Sequence, residues 1–277
     1  MKKLIVTADD FGAAREVNDA VEQGHRDGIL TAASLMVSAP AAADAVARAH
    51  ANPRLRVGLH LVLVDGKPTL PAAAVPDLVD ASGNFRGDMA RAAAKMFFFP
   101  HVRRQLAAEI DAQFGAFRAT GLSLDHVNTH KHFHLHPTIA ATILRVGKTY
   151  GLRAIRVPLE PHAVLRRAEP GAKLPSALAT APWAWASRAR FRAAGLRVPD
   201  AVFGLAWSGA MTPARVLGLI ENLPEGLSEI YLHPATGAYP GSAPGYRYEE
   251  ERDALIAPRA VEAFRNSAIA KGGFADF

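Results

Sequence analysis

The sequence predicts a single α/β domain, a distorted and incomplete (β/α) TIM-like barrel, on three observations. Short β-branched apolar runs alternate with alanine-rich stretches of helical length, a rhythm that builds parallel, right-handed βαβ units. The 277 residues hold six or seven such units, close to the size of one barrel. Several apolar runs end in Asp or His, and ligands gather at the carboxyl ends of parallel strands. A doubly wound open sheet meets the same three observations and stays open as the alternative.

The elements follow in order. A strand over residues 4–8 leads to a helix over 14–27 that stops at Gly28. A strand over 32–38, a helix over 41–50 and a strand over 55–62 continue the alternation. Residues 64–88, rich in Pro, Gly and Asp, read as a long loop on the ligand-bearing side. Alternation resumes with a helix over 102–120, a strand over 122–128, a helix over 137–150 and a strand over 153–157. A Pro/Arg/Trp-rich insertion over 160–200 carries one helix near 184–194. Strands over 203–208 and 229–233 and a helix over 249–266 complete the series. The domain thus spans 1–277, with irregular insertions at about 64–100 and 160–200.

Composition narrows the chemistry. The chain is 49% hydrophobic and 21% charged, which excludes a disordered or fibrous protein. It has no Cys, so thiol nucleophiles and thiolate metal sites are excluded and any metal rests on His and carboxylate. The formal charge of +6 comes without any nucleic-acid module, and no nucleic-acid partner is expected. Met1-Lys2-Lys3 begins like a signal peptide, but Asp9 and Asp10 interrupt the apolar run too early. No window approaches the ~18 apolar residues of a membrane span. A cytoplasmic location is expected, with peripheral contact at the inner membrane and a homodimer both left open.

Four apolar runs deliver polar groups to one rim: Asp9-Asp10, His60, the stretch from Asp125 to His136, and His233. Five of the 11 His lie between His126 and His136. Alternating His rarely serve a core, because each buried imidazole needs partners for both nitrogens. On an extended chain His126, Asn128 and His130 share one face. Not all five can be ligands, and His136, before Pro137, reads as structural. Adjacent Asp9 and Asp10 point to opposite sides of a strand, so one can bind metal while the other acts as a base. One Asp with two His from separate strands makes a site with open positions for Zn, Mn, Co or Fe(II), or for Mg if oxygen ligands dominate. With a further His at a distant strand end, the pattern is that of metal-assisted hydrolysis. A metal carrier would not need Asp9 beside Asp10, and adjacent carboxylates do not flank a glycosidic bond.

Thr7-Ala8-Asp9-Asp10-Phe11-Gly12, Gly58-Leu59-His60-Leu61 and the His-rich stretch resemble the signature blocks of the YdjC-like carbohydrate deacetylases. The segment Met96-Phe97-Phe98-Phe99-Pro100-His101-Val102-Arg103-Arg104, with Asp125-His126-Val127-Asn128-Thr129-His130-Lys131-His132, is similar to the hopanoid-biosynthesis-associated, HpnK-like branch. The resemblance implies removal of an N-acetyl group from an amino sugar, in that branch N-acetylglucosaminyl bacteriohopanetetrol, with chitooligosaccharides as the alternative. It implies one divalent metal, Mg or Zn, on Asp10, His60 and His130, with Asp9 as general base and His233 as general acid. It also implies a departure, since Asn128 stands where many relatives carry Asp. Arg156 and His132 are expected to bind the sugar. Phe97 and Phe98, followed by His101, Arg103 and Arg104, are expected to meet the hydrophobic part of a lipid-linked substrate or the membrane.

Overall fold

In the computed structural model, which describes residues 1–172 and 181–277, every strand pairing is parallel. The strands are β1 (Lys2–Phe11), β2 (Ala32–Leu35), β3 (Arg56–Leu61), β4 (Val127–Thr129), β5 (Ala201–Phe203), β6 (Gly226–Leu232) and β7 (Ala270–Lys271). They form one sheet in the order β4-β3-β2-β1-β6-β5, with β7 also against β1. Beyond β4 the curl continues only as single bridges, Val127 to Ile155 and Ala154 to Arg197. This is the expected incomplete barrel, a curled half-barrel rather than a closed ring. The eight residues from Leu4 to Phe11 are all buried, as a central parallel strand covered on both faces requires.

The helices are α1 (Arg15–Arg26), α2 (Ala42–Ala51), α3 (Met89–Phe98), α4 (Pro100–Ala119), α5 (Pro137–Gly147), α6 (His162–Ala168), α7 (Ala181–Ala193), α8 (Pro213–Glu221), α9 (Tyr248–Ile256) and α10 (Pro258–Asn266). Several expectations are corrected. The strands expected over 32–38 and 122–128 are shorter, Ala32–Leu35 and Val127–Thr129. Residues 153–157 make bridges but no strand. The strand expected over 203–208 lies earlier, because Gly204 (φ 130°) packs against the Tyr231 carbonyl and ends it. The single helix expected over 249–266 breaks before Pro258, which cannot continue the ladder. α3, α6 and α8 were not expected. Part of the 160–200 insertion, residues 173–180, lies outside the described residues. No helix among the described residues is long and apolar enough to cross a membrane.

Two backbone features position the site. Gly58 lets β3 and β4 approach, since a Cβ there would stand 2.5 Å from the His126 ring. At the end of β1 the register with β2 shifts between Ala8 and Phe11, and Asp10 adopts φ 61°. A bulge of this kind re-aims side chains beside active sites and is locally strained. It replaces the simple up–down alternation expected for Asp9 and Asp10.

Candidate active site

The ends of β1, β3, β4 and β6 surround a cavity of about 950 Å³. Asp9, Asp10, His60, His130, His132 and His233 all line it, together with Tyr231, Tyr239, Tyr246 and Tyr248. Arg156, Phe97 and Phe98 do not.

Asp10 Oδ1 lies 3.3 Å from His60 Nε2 and 3.4 Å from His130 Nδ1, and the two imidazole nitrogens are 3.4 Å apart. Two ligands about 2.05 Å from one ion at a tetrahedral angle stand about 3.3 Å apart, so this triangle suits a shared cation. Asp10 Oδ1 is also buried without a hydrogen-bond donor. The tautomer of His60 supports the same use. Its Nδ1 lies 2.7 Å from Asn128 Oδ1. The amide orientation is fixed because Asn128 Nδ2 donates to Asp9 Oδ1 at 3.0 Å and to Ser34 Oγ at 2.9 Å. His60 therefore carries its proton on Nδ1 and turns a bare Nε2 toward Asp10 and His130. The three residues are compatible with a divalent metal. Burial would raise the Asp10 carboxyl, but the His130 and His60 imidazoles beside it hold it well below the usual carboxylate range. Burial lowers His60, yet the adjacent Asp10 and Asp9 carboxylates leave it above the ordinary histidine value.

Asp9 is held differently. Both its oxygens accept from the Arg156 guanidinium, at 2.5 and 2.9 Å. Arg156 is fully buried, with its Nε and Nη2 also on Glu229 Oε1 and its Cζ 4.4 Å from the centre of the Tyr231 ring. Burial would raise the Asp9 carboxyl, and the Arg156 charge, then that of His60, keeps it ionised far into acid. Arg156 is thus a support beneath Asp9 rather than the sugar contact expected, because no donor of it reaches the cavity wall.

The remaining histidines separate by environment. His132, with Lys131, takes a left-handed backbone (φ 53° each) in the 3-10 turn His130–Leu135 and sets Nε2 3.1 Å from the Tyr231 hydroxyl. Burial and then Arg156 lower it well below the ordinary value. His134 is buried behind it, bonded to Thr129, and burial pushes it down to about 3. His126 bonds Asp125 and Ser34, and so continues a chain of contacts through Asn128 to His60. His136 precedes α5 without a side-chain cap hydrogen bond to it, and its Nδ1 is buried without a partner. His233 is partly exposed, its Nδ1 3.9 Å from the buried Glu251, whose carboxyl burial raises. Phe97 and Phe98 are 49% and 68% exposed on α3, so they are surface residues rather than core.

Ser34, Glu229, Tyr231 and Glu251 escaped the sequence reading. For Ser34 and Glu229 the signal was there, a polar residue inside an otherwise apolar strand.

Residues 3–266 match the family described as YdjC-like protein. The chain belongs to the YdjC-like family. Among curated members, the carbohydrate deacetylase of Geobacillus stearothermophilus is 30% identical over 83% of this chain and 78% of its own length. That of Brevibacillus brevis is 39% identical, over 57% of this chain and 58% of its own length. Against that Brevibacillus protein, the YdjC-like chain aligns with less than two thirds of the relative. An Enterococcus faecalis protein described in terms of cellobiose-phosphate cleavage has a solved structure of the same fold. It superimposes with a TM-score of 0.76 at 24% identity, covering 99% of this chain and 98% of that one.

Proposed function

We propose that this YdjC-like chain is a metal-dependent carbohydrate deacetylase that hydrolyses the N-acetyl group of an amino sugar. One observation carries the reading: Asp10, His60 and His130 present converging lone pairs at a cavity wall that Asp9 and His233 share. The curated relatives are carbohydrate deacetylases, in keeping with that chemistry. A divalent cation on these three residues would supply Lewis acidity for the amide carbonyl and for an attacking water. An imidazole-rich donor set and near-tetrahedral spacing favour Zn over Mg.

The protein groups then have distinct tasks. Asp9, ionised and aimed by Arg156 and Asn128, accepts the proton of the attacking water. Its low proton affinity makes it a weak base, for which the Lewis acidity of a cation on the triad would compensate. His233, with Glu251 behind it, donates a proton to the departing amine. His132 and the Tyr231 hydroxyl offer hydrogen bonds to the sugar. The finer reading, an N-acetylglucosaminyl bacteriohopanetetrol substrate, rests on the resemblance of the Met96 to Arg104 segment to the hopanoid-associated branch.

The test is acetate release from the N-acetylglucosaminyl hopanoid and from N,N′-diacetylchitobiose, with chelator and after re-addition of Zn or Mg. Chelator-sensitive release from the hopanoid in preference to chitobiose is expected. Preference for chitobiose would leave the deacetylase reading and remove the hopanoid; no acetate from either would remove both.

A further inference from the structure

The chain's charge is unevenly distributed, and the uneven part coincides with its exposed aromatic residues. Residues 89–108, 137–149 and 181–199 hold ten of the 32 Lys and Arg and none of the 26 Asp and Glu. The rest of the chain is net negative, so these three stretches account for the whole positive excess. They are not scattered in space: α3 packs on α4 and α5, and α5 packs on α4 and α7. Arg103 and Arg145 line one shallow depression between α4 and α5. Arg190 on α7 donates to the Pro137 carbonyl at the start of α5.

The same face carries the large apolar side chains that the fold leaves in water. Apart from Met1, the exposed large hydrophobic residues among those described are Phe97, Phe98, Phe99, Trp183 and Trp185. The Phe belong to the end of α3 and the Trp to the start of α7. α3 has apolar anchors of its own in Ala92 and Met96, so exposure of the Phe is not a failure of the helix to pack. Phe97 reaches His136 at 6.1 Å, on the loop that also carries His130. This end of the patch therefore adjoins the turn that supplies the cavity residues His130 and His132. Arg91, Arg103, Arg104 and Arg145 form no ion pair among the described residues, although Arg elsewhere in the fold commonly do.

We propose that the face formed by α3, the start of α4, α5 and α7 docks the protein on an anionic lipid bilayer. Phe97, Phe98, Trp183 and Trp185 enter the headgroup region there, with the surrounding Arg against lipid phosphates. Aromatic rings flanked by cations suit an interface that is apolar within and negative outside. The three stretches carry no acid of their own, and the acids beside them are few: Asp77 against His101, Asp88 at the cap of α3 and Asp200 against Arg192. An excess of cations of this kind suits a uniformly negative surface. The inference stands independently of which amino sugar is deacetylated.

Flotation of the full chain with vesicles of equal parts phosphatidylcholine and phosphatidylglycerol tests it, with pure phosphatidylcholine as the comparison. Binding to the anionic vesicles alone is expected, together with a blue shift of tryptophan emission, since Trp207 is already buried. Release by salt is expected as the Debye length shrinks from about 10 Å at 0.1 M to about 3 Å at 1 M. Arg103→Gln with Arg104→Gln should weaken partition roughly 25-fold, about fivefold for each cation removed. Trp183→Ser with Trp185→Ser should weaken it as well and abolish the blue shift, both pairs keeping the wild-type melting temperature. Equal binding to neutral vesicles, or binding to neither, would overturn the proposal. So would a dimer in sedimentation equilibrium that Phe97→Ser with Phe98→Ser converts to monomer, which would make this face an interface between copies.

Discussion

Asn128 joins the Asp10, His60 and His130 triad to Asp9. Its oxygen accepts from His60 while its nitrogen donates to Asp9, which a carboxylate at this position cannot do. Asn128→Ala should therefore weaken metal affinity about 10–100-fold, the usual cost of losing a ligand's orienting partner. Asn128→Asp keeps the acceptor for His60 but sets a carboxylate against Asp9. Titration with metal should show near-normal affinity for that variant, with turnover reduced; normal turnover would mean that Asp9 needs no donor from this position. The two adjacent carboxylates should separate in the same way. Asp10→Asn should lose metal, measured by elemental analysis. Asp9→Asn should keep it and lose roughly 10²–10⁴ in kcat, the range of an acid–base group. The reverse pattern would exchange their roles. Because Asp10 and Asp9 hold His60 above its ordinary value, protons compete with the cation there. Metal affinity should accordingly begin to fall at a pH above the ordinary histidine value, and to weaken further on acidification.

At the level of elements, the C-terminal turn is stitched to the sheet through one carboxylate. Asp125 accepts from the backbone N–H of Phe274 and Ala275 at 3.1 and 2.8 Å, and from His126 at 2.8 Å. Burial would raise this carboxyl, but the His126 bond and those N–H groups hold it below its ordinary value. Its contribution is present at neutral pH and is lost as pH falls through the depressed value. Asp125→Asn should cost about 1.5–3 kcal/mol at pH 7, as for hydrogen bonds to a charged group. The variant's melting temperature should also fall less steeply with acid than that of the wild type; parallel acid profiles would remove Asp125 from the linkage. The elements that were legible in sequence share a physical cause. β1 and β3 are apolar runs buried on both faces, so composition alone marks them. Residues 153–157 look similar but have only single-bridge partners, and pairing is a property of neighbours that a run does not encode. α8 carried a readable signal in Thr212-Pro213, an N-cap before proline at the first helical position. Arg156 was the hardest residue to place, since it meets Asp9 and Glu229 across 147 and 73 residues of chain.

For the molecule as a whole, strand ends told more than strand interiors. Asp9, Asp10, His60, His130 and His233 were found because each ends an apolar run, and the curled sheet brings those ends to one cavity. The cavity's size was not legible, because the long loop over 64–88 and the segment carrying Tyr239, Tyr246 and Tyr248 build its walls without any periodic signal. Those walls bear on specificity. A cavity of about 950 Å³ is near the upper end of the roughly 300–1,000 Å³ typical of small-molecule sites, too large for a single sugar ring to fill. Tyr239, Tyr246 and Tyr248 pack on one another as a cluster of flat apolar faces, with the Tyr246 ring 5.3 Å from that of His233. Binding energy from a remote group raises turnover only when it helps hold the acetamide in place for reaction. An N-acetylglucosaminide with a bulky apolar aglycone should therefore exceed free N-acetylglucosamine in kcat/KM. Tyr239→Ala or Tyr239→Ser should erase that advantage while leaving the slow turnover of the free sugar nearly unchanged. If both substrates lose equally in these variants, the tyrosines shape the triad's surroundings and the cavity's outer volume is not a binding site for the aglycone.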